Sequence, residues 1–181
     1  MNAVLKPKVR ELILGCGSRK DEKRKAVHFE AINPVYSDPV TLDIMPEHKP
    51  DVVWDLDVLP LPFKDNEFDE IHAYEVLEHC GRQGDWKFFF AQFTEFWRIL
   101  KPGGYFCAST PMWDCQWAWG DPGHTRIISP HSLMFLDQQF YAEQSGKTAA
   151  SDYRPFYKGD FEILGKMEKD VNFFFVLRAK K

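Results

Sequence analysis

An open α/β sheet, mostly parallel and finished by an antiparallel hairpin, is the fold that this sequence predicts. Three observations carry the prediction. Short apolar runs, each ending at a glycine or an acidic residue, recur through the N-terminal half. A helical apolar period follows them from Trp86 to Leu100. Near the C terminus, Phe161 to Met167 and Val171 to Leu177 flank Glu168-Lys169-Asp170, which is a hairpin signal. Strands alternating with helices build parallel sheets covered on their faces.

Taken in order, Val9 to Leu14 reads as a first buried strand running into Gly15-Cys16-Gly17. Pro34 and Pro39 punctuate a loop. Val40-Thr41-Leu42 is a second strand ending at Asp43, and Asp51 to Trp54 a third ending at Asp55. Phe68 to Tyr74 forms a fourth after the turn-like Lys64-Asp65-Asn66. Trp86, Phe89, Phe90, Phe93, Trp97 and Leu100 fall on one helical face. Lys101-Pro102-Gly103-Gly104 stops that helix, because proline cannot continue the ladder. Tyr105 to Ser109 is a fifth strand. Ser129-Pro130, a hydroxyl cap before a first-turn proline, starts another helix with Leu133, Leu136 and Phe140 as its buried face.

The chain has 181 residues, 44% of them hydrophobic and 28% charged, which suits one globular domain over 1–181. A formal charge of −4 argues against a nucleic-acid surface. The basic run Arg19 to Lys25 is broken by Asp21 and Glu22 and reads as a solvated loop. Cys16, Cys80, Cys107 and Cys115 are scattered, which suits reduced thiols and a cytoplasmic location. No apolar run is long enough to span a bilayer, so no membrane partner is expected.

In open α/β sheets ligands collect at the carboxyl ends of the strands, near the switch in strand order. Gly15, Asp43, Asp55 and Tyr74-Glu75 all fall there. Gly15 and Gly17 mark either a tight turn or a place where a ligand nears the backbone. Asp43 suits ribose hydroxyls or a strand-end cap. Asp55 suits an adenine amino group, whereas Asp57 is expected to face solvent. Leu56, Leu59, Leu61 and Phe63 flank a base or fill the core.

LILGCGS, VTLDI, DLDVLPLPFKDNEFDEIHAYEVLEH and FWRILKPGGYFCASTP, in this order, resemble a class I S-adenosylmethionine-dependent methyltransferase of the small methyltransferase-domain group. The resemblance spans about residues 9–135. It implies a Rossmann-like, doubly wound, seven-stranded sheet whose last two strands form the hairpin. It implies S-adenosyl-L-methionine as cofactor, with Gly15 and Gly17 beneath the methionine part, Asp43 on the ribose, and Asp55 with the Leu56 backbone at the adenine. Glu75 and His79 fall near the sulfonium end. Two positions depart from the pattern: Ile13 stands where an acidic residue is common, and Arg19 where a third glycine is common. The usual helix after this loop is not evident in Ser18 to His28.

The implied reaction is in-line methyl transfer to an oxygen or nitrogen of a small molecule, sugar or lipid. Alignment alone supplies ~7–11 kcal/mol of such a barrier. Residues 110–130 form the expected substrate loop, with Trp113, Trp117 and Trp119 as an apolar lid or as core plugs. His124 is the first choice for general base, since imidazole titrates near neutrality, and Asp114 would orient it or act itself. Arg126 would hold an anionic substrate or pair with Asp121. The histidines and carboxylates show no metal-ligand spacing, so no metal is expected. A compact chain leaves room for a homodimer that completes the site. A nonenzymatic scaffold is the rival of a different class. A nucleic-acid methyltransferase fits less well, because AYEVLEH stands where amino-directed DNA enzymes carry N/D-P-P-Y/F and no Pro-Cys dipeptide occurs.

Overall fold

The structure is a computed structural model that describes residues 9–18 and 39–181. The expectations for Arg19, for the basic run to Lys25 and for Pro34 lie outside those residues. Among the described residues, seven strands form one sheet in the order β3-β2-β1-β4-β5-β7-β6. They are β1 (Glu11–Leu14), β2 (Val40–Asp43), β3 (Val52–Val53), β4 (Phe68–Tyr74), β5 (Leu100–Pro111), β6 (Phe161–Lys169) and β7 (Asn172–Ala179). The first five pair in parallel. β7 runs antiparallel to both β5 and β6. The expected fold class is therefore the observed one. Strand order reverses at β1, which has β2 on one side and β4 on the other.

β1 is buried on both faces, which is why Leu12, Ile13 and Leu14 are apolar in succession rather than alternating with polar residues. Helix α1 (Trp86–Ile99) starts at Asp85, whose Oδ1 accepts the Phe88 N–H at 3.0 Å. It buries Phe90, Phe93, Phe96 and Ile99. Phe96 stacks on Phe106 of β5 at 4.8 Å between centroids, and Phe106 stacks on Phe175 of β7 at 6.3 Å. Aromatic layers thus join helix to sheet.

Three local readings need correction. Lys101 to Gly104 ends the helix but does not form a separate loop; it lies inside β5 as a register irregularity between Phe68 and Glu70 of the neighbouring strand. The helix begun at Ser129 splits into α3 (Pro130–Met134) and α4 (Gln138–Gln144). Leu136 fills the core from the break, and Phe140 is only half-buried. Asp137 caps α4 by accepting the Gln139 N–H at 2.9 Å, so a second start signal interrupts the first helix. The hairpin turns at Asp170-Val171, one residue later than the sequence signal, with Asp170 at φ +57°. A short helix, α2 (Gln116–Gly120), also stands in the expected substrate loop. Among the described residues, no helix is long and apolar enough to cross a membrane.

Candidate functional site

A cavity of 580 Å³ opens at the carboxyl edge of β1, β2, β3 and β4, within the size range of small-ligand sites. Gly15, Gly17, Asp43, Asp55, Leu56, Glu75 and His79 all line it. Asp57 is exposed, as expected, yet it lines the cavity too, and its Oδ1 accepts the Gly81 N–H at 2.8 Å. Ile44, Met45, His48 and Val76 are further wall residues. They follow the ends of β2 and β4, and that position was the only signal available for them. Leu61 is core, and Leu59 and Phe63 pack against it.

The two glycines differ in what they do. Both have left-handed φ, +57° at Gly15 and +58° at Gly17. A Cβ on Gly15 would stand 2.5 Å from Val76 Cγ2, so Gly15 is small because the start of the segment after β4 packs against it. A Cβ on Gly17 would meet nothing within 4 Å, so that backbone stays open beside the cavity. Gly17 also donates its N–H to Asp43 Oδ2 at 2.8 Å, tying the end of β1 to the end of β2.

Asp43 is buried and gathers donors. Its Oδ1 accepts the Met45 N–H at 2.9 Å, and His48 Nδ1 lies 3.2 Å from Oδ2. Burial alone would raise the carboxyl pKa, but the Met45 and Gly17 N–H groups and His48 outweigh it and hold the group below its ordinary value. It is a fixed carboxylate with further lone pairs to offer. Asp55 Oδ1 accepts the Asp57 N–H at 2.9 Å. Glu75 adopts φ +51°, and its Oε1 accepts the Ser109 hydroxyl at 2.6 Å, which anchors it to the end of β5.

His79 and His124, 45 residues apart in sequence, come together with ring centroids at 4.7 Å. His79 Nδ1 lies 3.0 Å from the Gly123 carbonyl, and His124 Nδ1 lies 2.8 Å from the Trp117 carbonyl. Asp114 does not orient His124. It sits exposed in the turn before α2, and the Trp117 carbonyl occupies the orienting position. Arg126 does not pair with Asp121 either. It is buried, donates from Nε to the Leu77 carbonyl at 2.8 Å, and reaches Gln92 through Nη2. Trp113, Trp117 and Trp119 are 46%, 54% and 72% exposed, so none of them plugs the core.

A second cavity of 220 Å³ is lined in part by residues that follow shortly after His79 and Cys80 in sequence. His79 and Cys80 line the first; Arg82 to Trp86, Phe89, Phe135 and Arg126 line the second. Arg126 Nη1 has no hydrogen-bond partner there.

The sequence profile of a family described as a methyltransferase domain matches residues 12–108, more than half of the chain. No curated protein sequence matches the chain. Several solved structures share its fold. A chain of the Haloferax volcanii complex that contains the Trm112 methyltransferase activator aligns with a TM-score of 0.60 at 14% identity, over 98% of this chain and 85% of that one. An S-adenosylmethionine-dependent methyltransferase from Archaeoglobus fulgidus gives 0.56 at 16%, over 96% and 87%. The N-methyltransferase NodS from Bradyrhizobium japonicum, in complex with S-adenosyl-L-homocysteine, gives 0.58 at 13%, over 96% and 80%.

Proposed function

Since the chain belongs to the methyltransferase domain family and takes S-adenosylmethionine as cofactor, we propose that it methylates an oxygen or nitrogen of a small-molecule, sugar or lipid acceptor. The observation that supports this acceptor class is the second cavity. At 220 Å³, with Trp86, Phe89, Phe90, Phe135 and Tyr153 in its wall, it suits a compact apolar group. A buried guanidinium with a free N–H suits an acceptor that also carries an anionic or carbonyl oxygen. A base pair or a nucleic-acid strand needs a broad basic surface, and this chain carries −4.

When bound, the cofactor supplies a methyl group on a sulfonium centre that is already primed to leave. The residues fit it: the 580 Å³ cavity is large enough, Asp43 is held ionised for the ribose hydroxyls, and Gly17 leaves the backbone open. Asp55 and the Leu56 backbone are assigned to the adenine, and Glu75 and His79 to the methionine end. His124 is the base. A carbonyl oxygen can only accept, so the Trp117 contact requires hydrogen on Nδ1 and leaves the neutral ring's lone pair on Nε2 for the acceptor's proton.

A radiolabelled-methyl screen across small-molecule, sugar, lipid and nucleic-acid acceptors tests the reading. Label transfer to one of the first three classes, reduced about 10²- to 10⁴-fold in His124→Ala, is the expected result. Exclusive labelling of nucleic acid would overturn the acceptor class. Full turnover in His124→Ala would remove the base.

A further inference from the structure

The fold assembles one set of side chains that linear spacing conceals. Glu78, His79 and His124 each offer a ligand atom within 4.8 Å of the other two. Two ligands that each sit about 2.1 Å from one ion are at most about 4.2 Å apart, so a small inward rotation closes the set. Glu78 is 3% exposed and brings a carboxylate to the pair. Asp121 adds a second, with Oδ2 3.8 Å from His124 Nε2 and Oδ1 accepting the Gly123 N–H at 2.7 Å.

The hydrogen bonds that the two rings make give this cluster its meaning. His79 and His124 both turn Nδ1 to a backbone carbonyl, of Gly123 and Trp117 respectively. Each neutral ring therefore keeps its lone pair on Nε2. A metal-bound histidine is oriented in this way, with the outer nitrogen donating to a carbonyl or carboxylate. The approach of Gly123 depends on its lack of a side chain, since a Cβ there would stand 3.2 Å from His79 Nδ1.

We propose that Glu78, His79 and His124 bind a divalent first-row transition-metal ion beside the cofactor cavity. Two imidazoles and one carboxylate favour zinc, manganese or iron over magnesium or calcium, which prefer all-oxygen sets. Three protein ligands leave coordination positions for water or for an acceptor oxygen. An acceptor hydroxyl bound there loses its proton to solvent more readily, so the ion takes over the work assigned above to the His124 lone pair. That role rests on the methyltransferase reading; the binding of the ion does not.

The test titrates the chelator-stripped full chain with ZnCl₂ and MnCl₂ by calorimetry, and with CoCl₂ by visible absorption. One ion per chain and a cobalt ligand-field band are expected. His79→Ala and His124→Ala should each weaken metal affinity at least about tenfold, while His124→Ala leaves S-adenosylmethionine affinity within about twofold. Chelation should abolish methyl transfer, and manganese or zinc should restore it. No saturable heat and no cobalt band, or undiminished metal affinity in both histidine variants, would overturn the proposal. If the metal fails to bind while cofactor binding and label transfer persist, this inference falls alone. If the cofactor fails to bind while the metal binds, the proposed function falls instead.

Discussion

Gly15→Ala separates packing from cofactor contact at the end of β1. At φ +57° an alanine sits in the left-handed region, which costs about 1–2 kcal/mol. Its Cβ also falls 2.5 Å from Val76 Cγ2 and 2.9 Å from Val76 Cβ. Neither neighbour is a flexible chain end, so overpacking adds about 1–3 kcal/mol. The expected loss is about 2–5 kcal/mol, or about 4–20 °C in Tm for a chain of this size. Gly17→Ala is the control. It carries the same backbone cost without the clash, so about 1–2 kcal/mol is expected, together with a loss of S-adenosylmethionine affinity of about tenfold or more. Thermal and urea unfolding give the stabilities, and calorimetry gives the affinities. Adding Val76→Ala to Gly15→Ala removes the 2.5 Å contact and leaves the 2.9 Å one. The pair should therefore show favourable coupling of about 0.5–3 kcal/mol. Gly15→Ala no more destabilising than Gly17→Ala, or zero coupling to Val76, would refute the reasoning.

Asp43→Asn should lose S-adenosylmethionine affinity and about 1–3 kcal/mol of stability, because one of its N–H donors then faces an amide NH₂. The folded carboxyl pKa is depressed, so its stabilising contribution is complete above the unfolded value of about 3.9 and is lost as pH falls through the folded value. The Tm gap between wild type and Asp43→Asn should accordingly narrow as pH falls below about 3.9; a gap that stays constant there contradicts it. Burial pushes the Cys80 thiol up to about 11 and the Cys107 thiol well above its ordinary value, and Cys16 is buried too. A disulfide reagent at neutral pH should modify Cys115 alone in the folded protein, read by peptide mass mapping, with the fast phase absent in Cys115→Ser. Arg126→Met should cost about 2–5 kcal/mol in urea unfolding, since it strips donors from the Leu77 carbonyl and Gln92; a change under half that would show that the bonds are not worth their burial.

The sheet was legible because its strands carry their burial in their own composition. Leu12 to Leu14 is an apolar run, and Phe68, Ile71, Ala73 and Tyr74 carry the apolar signal of the fourth strand; each strand stands where the pattern puts it. The wall of the first cavity was legible for a topological reason: strand ends in a parallel sheet meet at one edge whatever the intervening loops do. Pairings across those loops were hidden. Val76 explains Gly15, but the two lie 61 residues apart. Gly123 and Trp117 set the histidine tautomers through main-chain carbonyls, which carry no residue signature at all. Helix α2 was missed because five residues, QWAWG, are too few to establish a period.

The segment bearing His124 is fixed before any ligand arrives. Thr125 donates its N–H to the Glu78 carbonyl at 2.9 Å, and Arg126 Nε holds the Leu77 carbonyl. Gln83 then closes the circuit: its N–H donates to the Thr125 carbonyl at 2.8 Å, and its Oε1 accepts the Ile127 N–H at 2.8 Å. These bonds tie residues 77–83, whose His79 and Cys80 line the first cavity, to residues 125–127, whose Arg126 and Ile127 line the second. A methyl group must travel along a line from sulfur to acceptor, so its rate depends on how well two binding sites are held relative to each other. Main-chain and side-chain bonds between residues 77–83 and 125–127 hold the two walls in the fixed relation that the proposed transfer requires. The exposed tryptophan side chains of residues 113–119 take no part in these bonds; the Trp117 carbonyl reaches the segment at His124 Nδ1.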